Sequence, residues 1–212
     1  MGKDNIFYKA AKKNIRKLPM PSSLMKEFQK NGLEDLLEKV YLRSAELFDE
    51  NKNANKALHS HLGQILPCIA FFEVLVEKEG SREKALEIYE KWSLSGMDKI
   101  EKSIQRLLKF PGLYKLVPGF VNFLIDKVYG ADAGFKSVKV PGAKGFARDM
   151  KVCPYEMISR DYGYPELTKF FCKADDICYG SMHPKLVWAR TKTLGRGNDY
   201  CDFRLFVNDH EA

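Results

Sequence analysis

The chain has 212 residues, 45% hydrophobic and 30% charged, with 35 Lys and Arg against 28 Asp and Glu for a formal charge of +7. That supplies a packed core for one compact domain, or for a helical subdomain joined to a small mixed one, and excludes a disordered or low-complexity chain. Five cysteines, an odd number at irregular spacing, argue against a secreted disulfide framework and for free thiols.

Much of the positive excess lies at the start, where Lys3, Lys9, Lys12, Lys13, Arg16 and Lys17 face one acid, Asp4. Residues 1–20 are expected to form a solvated basic arm or helix. Beyond them acids and bases interleave and no recognition motif with stacking aromatics occurs, so nucleic acid is not an expected partner. The start lacks the apolar run of a secretory signal, and no run of roughly 18 to 20 uninterrupted apolar residues suits a membrane span. Gly2 follows Met1, but Ile6 stands where a myristoylation signal needs Ser or Thr. A cytoplasmic protein without a membrane partner is expected.

From Ser22 to about Gly130, apolar residues recur at threes and fours: Leu33, Leu36, Leu37, Val40, Tyr41 and Ala45, then Leu58 to Val76, then Ala85 to Leu108. This predicts an α-helical region over 21–133, a bundle of about five segments. Gly80-Ser81 ends one helix and caps the next, Pro111-Gly112 and Pro118-Gly119 mark turns, and Pro67 is expected to kink or divide its helix. His59 and His61, two apart, diverge on a helix and make poor joint metal ligands.

After Gly134 the period changes to two. Phe146, Arg148, Met150 and Val152 alternate with Ala147, Asp149 and Lys151, a strand ending at Cys153-Pro154. A short helix over 155–161 and a longer one over 165–181 follow. Leu186 to Leu194 and Tyr200 to Val207 then read as an antiparallel hairpin around the turn Gly195-Arg196-Gly197-Asn198. The fold class is α+β: an N-terminal α-helical bundle, then a small antiparallel sheet of about three strands covered by helices over 134–212.

The second helix of this region is amphipathic in an informative way. At about 100° per residue, Cys172, Asp175, Asp176, Tyr179 and His183 share one face, whereas Leu167, Phe171, Ala174, Ile177 and Cys178 form the opposite, buried stripe. Cys172 is therefore the better thiol for chemistry and Cys178 a core residue. Strand parity adds Arg148, on the face of Phe146 and Met150, and Arg190, on the face of Leu186 and Trp188. A guanidinium pointing where apolar residues point needs either an internal acid, with Asp202 or Asp149 as candidates, or an anionic ligand. Thr193 has the parity opposite to Arg190, so both line one pocket only if the strand bulges or ends between them.

Cys153-Pro154, Cys172 with Asp175, His183-Pro184, Arg190-Thr191-Lys192-Thr193, and Gly197 followed by Cys201-Asp202-Phe203 resemble the L-2-amino-thiazoline-4-carboxylic acid hydrolase family. Phe72 to Trp92, with Glu79-Gly80-Ser81-Arg82-Glu83-Lys84-Ala85-Leu86, is similar to its helical half. The resemblance runs from about residue 35 and is most specific in the last sixty residues. It implies hydrolytic opening of a cyclic isothiourea that carries a carboxylate, yielding an N-carbamoyl amino acid. In that reading Arg190, or else Arg148, binds the carboxylate, Asp175 or Asp176 holds the protonated amidine, and Tyr179, Thr193 and Asp202 complete the substrate-binding set.

Three ways of supplying the attacking group stay open. Cys172 attacks as a thiolate activated by His183, although about 16 Å of unbroken helix would separate them. Alternatively Cys153, Cys172 and Cys201 bind a metal such as zinc that activates water, or Asp176 or His183 activates water directly. The competing class is a non-enzymatic module that binds a small molecule or senses metal or redox state through its thiols.

Overall fold

The computed structural model describes residues 5–208. Met1, Gly2, Lys3 and Asp4, which belong to the basic segment, lie outside them. The chain divides into two compact units, one ending at Gly96 and the other beginning at Met97.

The first unit is all helix: α1 (Ile6–Lys17), α2 (Pro19–Lys30), α3 (Leu37–Glu50), α4 (Lys56–Glu79) and α5 (Arg82–Ser93). Local chemistry sets the ends. Asn5 accepts the Phe7 N–H at 2.7 Å, Asn55 that of Leu58 at 2.9 Å and Ser81 that of Lys84 at 3.3 Å, each satisfying an orphan donor at a helix start. Gly80 closes α4 in the left-handed conformation at φ 63°. The basic segment is thus helical from Ile6, with Tyr8, Ala11 and Ile15 buried and Lys9, Lys13, Arg16 and Lys17 exposed.

The core gathers around α4, whose Leu62, Ile65, Leu66, Ile69 and Phe72 are fully buried. Phe71 meets Phe28 edge to face at 5.0 Å, and Phe72 meets Tyr89 at 5.5 Å. The structure bears on two expectations here. Pro67 does not divide its helix, and Gly63, four residues earlier, carries the carbonyl that the proline ring crowds. Helix α4 is also long and apolar enough to cross a membrane, with 72% of its most apolar window buried inside the protein, as befits a core helix.

The second unit begins with α6 (Met97–Leu108) and α7 (Val117–Val128). Strands β1 (Lys136–Lys139) and β2 (Phe146–Val152), helices α8 (Pro154–Asp161) and α9 (Thr168–Gly180), and strands β3 (Leu186–Ala189) and β4 (Cys201–Val207) follow. The sheet is antiparallel throughout, in the order β1-β2-β4-β3. It has one strand more than expected, because β1 is a short, largely exposed edge whose Lys-Ser-Val-Lys lacks an apolar alternation. Leu108 from α6 and Val121 from α7 join Phe146, Leu186 and Leu205 in one core, so these two helices build the sheet-bearing unit. Pairing of Phe146 with Leu205, Arg148 with Phe203, Met150 with Cys201 and Trp188 with Leu205 puts these side chains on one face.

Gly145 makes the entry to β2 possible. It has φ 74°, and a Cβ there would lie 2.6 Å from the Leu205 carbonyl oxygen. Strand β3 stops at Ala189, short of the expected Leu194, because the following residues turn to bond Asp202. The link to β4 contains a 3-10 turn over Leu194–Arg196, closed by left-handed Gly197.

Candidate active site

The sequence-predicted cluster converges in part, where α9 lies beside the end of β3. Arg190 is the centre of it. Its side chain is 1% exposed, 2.7 Å from Asp176 Oδ1 and 3.4 Å from Asp175 Oδ2, and it also donates to the Cys172 carbonyl oxygen. The guanidinium lies 5.5 Å from the Trp188 ring and 5.2 Å from that of Phe203. Burial works against its charge, and the two carboxylates more than restore it, so its pKa stays raised. This is the internal ion pair, but its partners come from α9 and not from Asp202 or Asp149. Those acids have other duties, since Asp149 pairs with Arg204 at 2.8 Å.

The neighbouring carboxylates differ in kind. Asp176 is fixed, because its Oδ1 accepts from Trp188 Nε1 at 2.9 Å as well as from Arg190. Trp188 is in turn stacked on Tyr179, with ring centroids 4.8 Å apart. Asp175 is held more loosely by Arg190. Burial pushes it up to about 6, Arg190 opposes this, and the Asp176 charge adds to the rise. Yet 45% of its side chain stays accessible. Asp175 therefore lies deep in the mass of the protein while remaining open from one side, a combination suited to a small ligand and to proton transfer near neutral pH.

The thiols are poor nucleophiles at rest. Burial drives Cys172 up to about 12 against the pull of Arg190 and does the same to Cys153, while Cys201 is also raised. Cys201 Sγ accepts the Leu194 N–H at 3.2 Å, which makes it a strut for the turn. Cys153, Cys172 and Cys201 do influence one another's ionisation and so occupy one neighbourhood. Among the described residues, however, no three His, Cys, Asp or Glu side chains converge to ligate one ion, so the three do not form a prepared metal site. Cys178, expected in the core, is half-buried.

Other expected members fall elsewhere. Helix α9 ends at Gly180, so His183 is off its face. It stacks on Tyr114 at 4.3 Å with the rings 6° from parallel, and its Nδ1 accepts the Lys185 N–H at 3.1 Å. Arg148 is buried and forms an ion pair with Asp126 at 2.7 Å, with Ser137 Oγ accepting at 3.4 Å. Asp202 accepts from the backbone N–H groups of Thr191 and Lys192 and from Thr191 Oγ1 at 2.6 Å. Burial acts to raise its pKa, but these bonds outweigh it and hold Asp202 below the usual carboxylate range. Thr193 is 1% exposed, and its N–H donates to Asn198 Oδ1 at 3.0 Å.

Tyr129, in the residue after α7, was not anticipated. Burial and the nearby Asp175 push it up to about 12, which places it beside the site as a neutral hydroxyl. Its helix belongs to the stretch read as bundle, and no local spacing links it to α9. Trp188 was legible only as an apolar neighbour of Arg190 by parity, and Phe203 only as part of the Cys201-Asp202-Phe203 run.

No curated protein and no solved structure matches the chain. The model of the L-2-amino-thiazoline-4-carboxylic acid hydrolase family matches residues 59–205, which includes α9, Arg190 and the strands that hold them. The chain therefore belongs to the L-2-amino-thiazoline-4-carboxylic acid hydrolase family.

Proposed function

We propose that this protein is a hydrolase that opens a small cyclic amidine or isothiourea carrying a carboxylate, with L-2-amino-thiazoline-4-carboxylate as the model substrate and N-carbamoyl-L-cysteine as the product. Family membership supports hydrolysis in general. The observation that carries the mechanism is Asp175, accessible and pushed up to about 6 beside a buried Arg190.

Asp175 is the general base. It takes a proton from water as the water oxygen bonds to the ring carbon between nitrogen and sulfur. The carbon–sulfur bond then breaks, its electron pair leaves on sulfur, Asp175 returns its proton to give the thiol, and the remaining hydroxyl proton is released to solvent as the carbonyl forms, balancing the proton the amidinium brought in. One water is consumed, and the carbon that held the ring becomes the carbonyl of a urea. A carboxylate titrating near 6 is ionised enough at pH 7 to accept the proton and acidic enough to return it, which contributes typically 10²- to 10⁴-fold.

Arg190 and Asp176 act as positioning residues. With both acids ionised, the three groups sum to −1, which favours the amidinium end of the substrate and directs its carboxylate away. Arg190 supports this arrangement from beneath through its bond to the Cys172 carbonyl. Cys172 borders the site as a neutral thiol and forms no bond to substrate.

The test is incubation of the purified full chain with L-2-amino-thiazoline-4-carboxylate, following mass. A gain of one water with appearance of a free thiol supports the reading. Substrate that binds without turnover at pH 6 to 8 overturns the enzymatic reading in favour of a binding module.

A further inference from the structure

Helix α7 and the segment before it expose several large apolar side chains. On α7, Asn122 donates to the Gly145 carbonyl at 3.3 Å, and Asp126, itself half-exposed, pairs with Arg148 at 2.7 Å. Val117, Val121 and Ile125 pack on the sheet core from the same side. Between these contacts the segment leaves large apolar side chains to solvent. Phe120 is 59% exposed and Phe123 54%, and they continue a line from Leu116 at 65%, at offsets of four and seven residues. Leu107 and Phe110, at the end of α6 and just beyond it, are 57% and 66% exposed. Single exposed apolar residues are ordinary, but three large ones along one helical line, with two more close by in sequence, mark an interaction surface.

The charges around this face indicate what covers it. Between Arg106 and Val128 the bases are Arg106, Lys109, Lys115 and Lys127, all exposed, and the sole acid, Asp126, is paired with Arg148. Lys127 Nζ lies 4.5 Å from the Phe123 ring centroid, so a cation rides directly on the apolar line. Phenylalanine and leucine side chains ringed by lysines match the boundary between acyl chains and anionic headgroups. We infer that the line of Leu116, Phe120 and Phe123, with Leu107 and Phe110 as further apolar contacts, seats the protein on the surface of a bilayer containing anionic phospholipid. The contact is peripheral, with the side chains entering the headgroup region and no segment crossing. It replaces the earlier expectation of no membrane partner, which considered spanning segments and lipid anchors alone.

The test is co-sedimentation of the full chain with vesicles of phosphatidylcholine alone and of phosphatidylcholine with 30% phosphatidylserine. Binding to the anionic vesicles, and little to the neutral ones, is expected. Lys109→Gln with Lys115→Gln is expected to weaken it about thirty-fold, the loss for two basic residues near such a surface. Phe120→Ser with Phe123→Ser should abolish it with unchanged far-UV circular dichroism, since both positions are exposed. The tryptophan of Phe120→Trp should shift its emission to the blue when anionic vesicles are added. Failure of the full chain to sediment with either vesicle overturns the inference. So does a lipid-free dimer that Phe120→Ser dissociates, which would make a second copy the occupant.

Discussion

Asp175 and Asp176 are adjacent acids beside the same arginine, and exchanging each for its amide should have opposite effects on stability. The pKa of Asp175 rises from an ordinary 3.8 to about 6 on folding. Between those values the folded protein holds a proton that the unfolded chain has lost. Stability therefore falls as pH rises through that window, and ionised Asp175 is destabilising at pH 7. The full shift corresponds to about 3 kcal/mol at 1.36 kcal/mol per unit. Because 45% of the side chain is accessible, solvent screening reduces this to roughly 1 kcal/mol. Asp175→Asn should thus raise Tm at pH 7 by about 2 to 4 °C, with the gain shrinking toward pH 4, where the native carboxyl is already protonated. Asp176→Asn does the reverse. It leaves the Arg190 guanidinium, 1% exposed, without its 2.7 Å ionic partner and should cost about 3 kcal/mol. Thermal denaturation of the wild type and both variants at pH 4, 5, 6 and 7 reads this out. Equal destabilisation by the two substitutions, or an Asp175→Asn effect that ignores pH, would refute the division of labour between the acids.

Other consequences follow from the same geometry. Cys172→Ala should keep turnover within about threefold, because a thiol pushed up to about 12 is only about 10⁻⁵ ionised at pH 7. Rapid loss of activity on alkylation at neutral pH, reproduced by Cys172→Ala, would restore the thiolate route. Asp202→Ala should release the N–H groups of Thr191 and Lys192, which hydrogen exchange would detect as lost protection of residues 191 and 192. Unchanged exchange there would show that the turn holds without Asp202.

The parts of the fold and site that were legible in sequence are those where chemistry is local. Asn5, Asn55, Ser81 and Gly80 bond within one turn of their own helix, and the period-two pattern of β2 needs only the buried face of one sheet. The inward arginines were readable too, since parity alone put Arg148 and Arg190 among apolar residues. Their partners were not. Asp126 on α7 and Asp175 on α9 are set by the packing of helices on the sheet, and nothing in the local spacing encodes that. The same limit explains His183, which fits the periodicity of the polar face of α9 but falls beyond the end of the helix at Gly180. It explains α6 and α7 as well, whose helical period is the same whether they pack among helices or on a sheet. Only tertiary contacts of Leu108 and Val121 assign them to the second unit.

The most direct test of Asp175 as the proton acceptor is the pH dependence of kcat/KM for L-2-amino-thiazoline-4-carboxylate, measured for the wild type and Asp175→Asn. The wild-type rate should rise with pH through an apparent pKa near 6, and the variant should lose both that limb and at least about a hundredfold in rate. An Asp175→Asn enzyme with the wild-type rate and profile would contradict that role.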